Sequence, residues 1–103
     1  MSKHTPGPWK TEQSSRTDIY IISQSVEARN KWVATACNHE FHPTEENNKR
    51  NQYNARLIAA APELLEACHA LLRVRDAEEW VAALRAAIEQ ARAAIDKAEG
   101  VKP

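Results

Sequence analysis

The character of the sequence changes abruptly near residue 53, and this change limits the fold more than any other feature. Before it, short runs of β-branched and aromatic residues alternate with polar stretches; after it, alanine, leucine, glutamate and arginine dominate, with apolar residues at helical spacing. A chain of this kind packs a sheet against the helices that follow it. The sequence therefore predicts an α+β fold: a three-stranded antiparallel β-meander followed by two or three helices, in a single domain of residues 1–103.

Residues 1–38 contain the three runs that are expected to form the meander. Residues 9–13 are mostly polar, which suits an edge strand, whereas residues 19–23 and 31–37 are rich in β-branched and aromatic side chains. Short polar connections favour antiparallel pairing of consecutive strands. Because three strands alone are only marginally stable, the second half of the chain must cover one face of the sheet.

A polar loop over residues 39–52 and a helical hairpin over residues 53–100 are expected to follow the meander. Pro62 lies inside the apolar stripe of the hairpin, where a proline removes a helical hydrogen bond and clashes with the preceding turn. We therefore predict either two short helices or one helix with a kink near Ala61.

The last helix is expected to be long and coiled-coil-like. It is predicted to run from about residue 77 to residue 99, with Asp76 as its N-cap, Glu79 completing a capping box and Gly100 at its C-terminal end. Its apolar residues recur at alternating spacings of three and four, as in a helix–helix seam. Because the preceding helix is too short to cover this seam, we expect a homo-oligomer; the alternative is a monomer in which the sheet covers the remainder. The predicted interface comprises Trp80, Val81, Leu84, Ile88 and Ile95.

The composition argues against an enzyme. The only glycines are Gly7 and Gly100, so the sequence has no glycine-rich phosphate loop, dinucleotide fingerprint or nucleophile elbow. Fourteen basic and 14 acidic residues give a formal net charge of zero, which disfavours nucleic acid and anionic membranes as partners. No apolar run has the length of a membrane span, so we expect a cytoplasmic protein with Cys37 and Cys68 reduced. No cofactor is predicted.

Three residues are candidates for ligand binding: Trp9, Asn54 and Arg56. Arginine offers a planar fork for phosphate, asparagine can hydrogen-bond a base edge, and Trp9 or Trp32 can supply a stacking surface. The residue types favour a structural role, in which Trp9 anchors the core and Arg56 pairs with a glutamate such as Glu63. If the chain has a nucleotide pocket, we expect it where the rigid segment before Trp9 approaches Asn54 and Arg56.

A metal site is the main alternative from another functional class. Cys37, His39 and His42 offer thiolate and imidazole groups, which zinc accepts in a tetrahedral shell. The spacing of these three residues is loose, however, and the sequence contains no Cys-x-x-Cys pair to complete a zinc site. A metal-dependent enzyme or a zinc-binding module would use these three residues, and His69 is a further candidate for acid–base catalysis.

Two segments resemble a group of small phage and prophage proteins: residues 4–9, HTPGPW, and residues 54–67, NARLIAAAPELLEA. The resemblance implies a short β-meander followed by helices, encoded among the accessory genes of a temperate phage. It also implies, by analogy, an anti-defence protein that acts in the host cytoplasm by sequestering a signalling nucleotide or occupying a defence protein. Direct inhibition of a CRISPR-type complex is an alternative form of that function. The polar stretch of residues 38–52 is longer than the resemblance leads us to expect.

Overall fold

A computed structural model describes residues 3–15, 18–37 and 45–100. It confirms the predicted α+β fold, because a three-stranded antiparallel sheet in the order β1-β2-β3 precedes three helices, the last of them long. The elements are β1 (Trp9–Gln13), β2 (Asp18–Ser23), β3 (Trp32–Cys37), α1 (Glu45–Ala59), α2 (Ala61–Val74) and α3 (Trp80–Glu99).

The core lies between the sheet and α1. Alternate residues of β2 point inward, so Ile19 and Ile21 are buried while Tyr20 between them is exposed. Ala36 pairs with Ile19 across the ladder, and α1 packs against all three strands. The central buried cluster consists of Ile19, Ile21, Ala36, Ala55 and Ala59, with Trp9, Val33, Ala34 and Ile58 packed at its edge.

Helix α1 begins inside the stretch that the sequence predicts to be a loop. The loop prediction is wrong for residues 45–52, which form the first turns of α1, whereas residues 38–44 lie outside the described residues. Glu45 with Lys49 and Glu46 with Arg50 form exposed i,i+4 ion pairs at 3.7 and 3.5 Å. Asn51 is buried and donates a hydrogen bond from Nδ2 to the Ala36 carbonyl oxygen at 3.1 Å, so this polar helix is fixed to the sheet.

The predicted break near Ala61 is confirmed one residue earlier, at Ala60. This residue keeps a helical conformation with φ −86° and ψ −3°, and its amide still donates to the Arg56 carbonyl oxygen at 3.0 Å. Pro62 lies in the first turn of α2, where its missing amide hydrogen costs no helical hydrogen bond. The chain therefore changes direction between α1 and α2 without a loop.

Helix α3 starts later than predicted, at Trp80, and Asp76 is not its N-cap. The amides of Asp76 and Ala77 donate to the Arg73 and Val74 carbonyl oxygens at 3.2 Å, so these residues complete the C-terminal turn of α2 instead. Glu79 occupies the N-cap position without a side-chain capping hydrogen bond. The predicted C-terminal end is confirmed, because Gly100 adopts the left-handed conformation, with φ 75°, that favours glycine.

Alanines form the contact between α2 and α3. Ala67 on α2 and Ala87 and Ala94 on α3 are almost fully buried, and their small side chains allow the two antiparallel helices to lie close together. The buried stripe of α3 is therefore rotated relative to the predicted seam, and Val81, Ile88 and Ile95 lie beside it rather than within it. No helix in the described part of the chain has the length and apolar character needed to span a membrane.

Candidate functional site: a cleft between the N-terminal segment and helix α2

Residues 4–9, which we call the N-terminal segment, are held in place by three hydrogen bonds. The buried Ser23 hydroxyl, at the end of β2, donates to the Pro6 carbonyl oxygen, and the Gln24 amide donates to the Pro8 carbonyl oxygen at 2.8 Å. The Trp9 indole Nε1 donates back to the Thr5 carbonyl oxygen at 3.1 Å. The segment is thus a closed loop fixed to one end of the sheet.

The N-terminal segment meets α2 at Gly7 and Pro62. A Cβ atom placed on Gly7 would lie 3.0 Å from Pro62 Cβ and 3.2 Å from Pro62 Cγ, which is closer than carbon atoms ordinarily pack. A side chain at position 7 would therefore require Pro62 or the N-terminal segment to move by a few tenths of an ångström. Each residue belongs to one of the two segments that resemble phage proteins, so the contact brings the two resembling segments together.

Beside this contact lies a cavity of about 500 Å³, which we call the N-terminal cleft. Its half-buried lining includes Pro6, Trp9 and Pro62 together with the polar Thr5, whereas His4, Glu66 and His69 are exposed. Ten residues line it: His4, Thr5, Pro6, Gly7 and Trp9 from the N-terminal segment, and Ala61, Pro62, Leu65, Glu66 and His69 from α2.

The lining of the cleft can bind a planar group. An indole and two proline rings can pack against a planar group, while the imidazoles of His4 and His69 and the Glu66 carboxylate can orient it by hydrogen bonds. His69 is exposed on α2.

The structure does not bring the three predicted ligand residues together. Trp9 lines the N-terminal cleft, but Asn54 lines a different cavity of about 540 Å³, between Leu57 and Ile95. Trp32, the other predicted stacking surface, lies on the outer face of the sheet with its ring 5.5 Å from that of Tyr20. The N-terminal segment therefore approaches α2 rather than Asn54 and Arg56.

Arg56 lies against the C-terminal end of α3. Its Cδ, Nε and Cζ atoms are each 2.9 Å from the position that a Cβ on Gly100 would take, and its guanidinium carbon is 5.8 Å from the centre of the Tyr53 ring. This places a positive charge where the carbonyl groups of α3 leave partial negative charge. The proposed partner Glu63 instead binds Lys97, with Nζ 2.7 Å from Oε1.

A second surface is formed by large apolar side chains that α2 and α3 leave uncovered. Leu72 is 71% exposed, Val81 53% and Ile88 45%. Leu64 on α2 and Ile95 on α3 line one cavity together with Tyr53, Asn54 and Leu57 of α1. Trp80 is also exposed, whereas Leu84 is half-buried. We call this surface the hairpin face and define it by Cys68, Leu71 and Leu72 on α2 and Val81, Ile88 and Ile95 on α3.

Of the three candidate metal ligands, the structure describes only Cys37, because His39 and His42 lie outside the described residues. Desolvation and the neighbouring Asp18 carboxylate raise the pKa of the Cys37 thiol, so this side chain stays protonated at neutral pH. A protonated thiol is a poor nucleophile. Within residues 3–15, 18–37 and 45–100, no group of three or more His, Cys, Asp or Glu side chains is placed to hold a metal ion.

Sequence reasoning missed the α2 side of the cleft, which consists mainly of Pro62, Leu65, Glu66 and His69. One signal pointed to it. Gly7 is one of only two glycines in the chain and stands between two prolines, which indicates a rigid segment that another part of the molecule approaches closely.

Comparison with known proteins places the chain in a phage protein family. A family model described as Salmonella phage P22 protein Y8K6 matches residues 1–102. The match includes both the N-terminal segment and the three helices. No curated protein and no solved structure matches the chain.

Proposed function

The chain belongs to the family of Salmonella phage P22 protein Y8K6, and from this we propose that it is a non-enzymatic phage accessory protein. It acts in the host cytoplasm by binding and sequestering a component of host defence. The observation that carries the proposal is the N-terminal cleft. It is a largely apolar cavity with imidazole and carboxylate groups at its edge, and hydrogen bonds hold its N-terminal segment in place.

A small nucleotide fits the chemistry of the cleft. Its volume of about 500 Å³ is within the range of small-molecule sites. A base can pack on Trp9 and Pro62, the Glu66 carboxylate can accept a hydrogen bond from a base amino group, and the imidazole of His69 can donate one to a phosphate oxygen. Because the N-terminal segment is already held by backbone hydrogen bonds, binding orders few additional groups.

The exposed hairpin face supports self-association as part of the same function. Its side chains are large, apolar and exposed on two adjacent helices, and exposed apolar residues grouped in this way favour an interaction site. Four of the five predicted interface residues, Trp80, Val81, Ile88 and Ile95, are exposed and available for contact. A homo-oligomer with one cleft per subunit would sequester several ligands.

Nucleotide binding can be tested by calorimetry with linear and cyclic nucleotides as probes. We expect at least one probe to bind the wild-type protein and His69→Ala to weaken its binding tenfold or more. Arg73→Ala, one turn further along α2 and also exposed, is the matched control and should bind like the wild type. If no nucleotide binds, or if both variants bind equally well, the cleft is not a nucleotide site. Recovery of a defence protein as a stoichiometric complex would then favour the protein target.

A further inference from the structure

Strand β1 is an edge strand, and half of its main-chain groups point away from the sheet. In the order β1-β2-β3, no strand of the described residues lies on its outer side. The Ser14 amide donates to the Asp18 carbonyl oxygen at 3.1 Å, and the Pro8 carbonyl oxygen accepts from the Gln24 amide at 2.8 Å. Successive residues of an antiparallel strand direct these groups to opposite sides. The residues that direct them outward are therefore Trp9, Thr11 and Gln13.

This outer edge is open on the side of the N-terminal segment and on the side of α1. The N-terminal segment turns towards β2, where the Ser23 hydroxyl donates to the Pro6 carbonyl oxygen. Two cavities of about 340 and 250 Å³ lie between α1 and β1. Gln13 and Gln52 line both cavities, and Thr11 lines the smaller one. A further strand can therefore lie beside β1, with its inward side chains in these cavities.

We infer that β1 of a second copy of this chain pairs with this edge, antiparallel and about a two-fold axis through Thr11. The outward main-chain groups of Thr11 then exchange two hydrogen bonds with Thr11 of the partner subunit. Trp9 pairs in the same way with Gln13 of the partner subunit. Every outward group of β1 thus finds a partner, and the two sheets become one continuous sheet with both α1 helices on the same face.

The side chains of β1 are complementary to themselves in this register. Lys10 and Glu12 are exposed and lie on the sheet face away from α1. The axis places Lys10 opposite Glu12 of the partner subunit, twice in the dimer, and opposite charges stabilise such cross-strand pairs. A shift of two residues either way keeps the hydrogen-bonding alternation, but it places Lys10 or Glu12 opposite its own copy. A shift of one residue breaks the alternation itself.

These relationships favour a second copy over an unrelated extended peptide. An unrelated peptide would need a basic and an acidic residue two positions apart and in the opposite order across the ladder, and β1 already carries that pattern. The contact goes beyond the proposed association through the hairpin face, and neither contact depends on the other.

The register can be tested by disulfide cross-linking. In a Cys37→Ser, Cys68→Ser background, diamide should convert most of the Thr11→Cys variant to a linked dimer, because directly opposite Cα atoms lie about 5.5 Å apart. The matched control is Gln13→Cys in the same background. Its thiol lies opposite Trp9 of the partner subunit, about 14 Å along the strand from the equivalent thiol, and should not cross-link. Absence of the Thr11→Cys dimer overturns the contact, and equal cross-linking of both variants overturns the register.

Charge reversal tests the complementarity in the Thr11→Cys variant. Adding Lys10→Glu should lower the cross-linking rate by about fivefold or more, because it places two carboxylates opposite each other, and adding Glu12→Lys as well should restore the rate. Lys31→Glu makes the same change of charge outside β1 and should leave the rate unchanged. Circular dichroism should be the same for all of these exposed changes. A double reversal that fails to restore the rate overturns the proposed pairing.

A change on the hairpin face separates this contact from the proposed association. Leu72→Glu, at a 71% exposed position, should leave the cross-linking of Thr11→Cys unchanged even if it lowers the mass measured by light scattering. Loss of the cross-link in this variant would overturn the β1 edge as an independent interface. A cross-link that persists in a protein without hairpin-face association would support the β1 contact and leave only the hairpin face refuted.

Discussion

The ammonium group of Lys97, near the end of α3, lies 2.7 Å from the Glu63 carboxylate, in the first turn of α2. Both side chains are only 31% exposed, and the second carboxylate oxygen of Glu63 is buried without a hydrogen-bond partner among the described residues. This pair joins the two ends of the hairpin that are remote from its connecting turn. It therefore fixes the register of α2 against α3.

Removing one partner of this ion pair should destabilise the fold. Lys97→Met leaves the Glu63 carboxylate half-buried without its cation, and we expect the free energy of unfolding to fall by about 1–2 kcal/mol in urea denaturation. Lys49→Met is the matched control, because Lys49 pairs with Glu45 at 3.7 Å on an exposed surface and should cost less than about 0.5 kcal/mol. The double variant Glu63→Met, Lys97→Met should recover most of the loss. Equal effects of the two single changes would show that the hairpin pair has no special role.

Close packing between the two resembling segments should make Gly7 intolerant of substitution. A Cβ at Gly7 would lie 3.0 Å from Pro62 Cβ, so in Gly7→Ala either the N-terminal segment or the start of α2 must shift. Overpacking of this kind costs about 1–2 kcal/mol. The loss should appear in urea denaturation together with weaker binding of any ligand of the cleft. Ser25→Ala, a small change in the β2–β3 connection, provides the reference, and a Gly7→Ala variant that matched it would show that the contact is loose.

The sheet could be predicted from sequence because β-branched and aromatic runs such as residues 19–23 have one dominant structural preference. The break between α1 and α2 follows from Pro62 in the same direct way. Residues 45–52 of α1 were missed because the buried side chain among them is Asn51, which carries little hydrophobic signal. The first half of this helix therefore resembles a polar loop.

The orientation of α3 shows a second limit of pattern-based prediction. The spacing of apolar residues places Ile88 in the predicted helix–helix seam of α3. The close approach of α2 favours small residues, however, so Ala87 and Ala94 occupy the contact with α2 instead. The N-terminal cleft could not be predicted from the sequence for another reason. The cleft depends on a contact between Gly7 and Pro62, which are 55 positions apart in the chain. Local sequence patterns do not indicate which distant residues meet in space.

The Cys37 thiol should react slowly with alkylating reagents despite its exposure. Desolvation, the Asp18 charge and a hydrogen bond to Asp18 all raise the pKa of this thiol, so the folded protein disfavours the reactive thiolate. The alkylation rate of Cys37 should therefore rise at a higher pH than that of a free cysteine. In a Cys68→Ser background, Asp18→Asn should lower that pKa and increase the iodoacetamide rate at pH 8 several-fold. The control is Glu12→Gln, another carboxylate on the sheet. An unchanged iodoacetamide rate in Asp18→Asn would show that the Asp18 carboxylate does not raise the pKa of the Cys37 thiol.

Arg56 should act as a structural residue rather than a ligand residue. Its side chain lies within contact distance of Gly100, at the C-terminal end of α3, where a positive charge is stabilised by the helix dipole and the aliphatic stem covers backbone. We expect Arg56→Ala to lower the free energy of unfolding by about 1 kcal/mol, with nucleotide binding in the N-terminal cleft unchanged. Arg85→Ala, on the exposed side of α3, should leave both quantities unchanged. If Arg56→Ala abolished ligand binding without changing stability, the ligand would lie at the α1–α3 contact, and the cleft would not be the binding site.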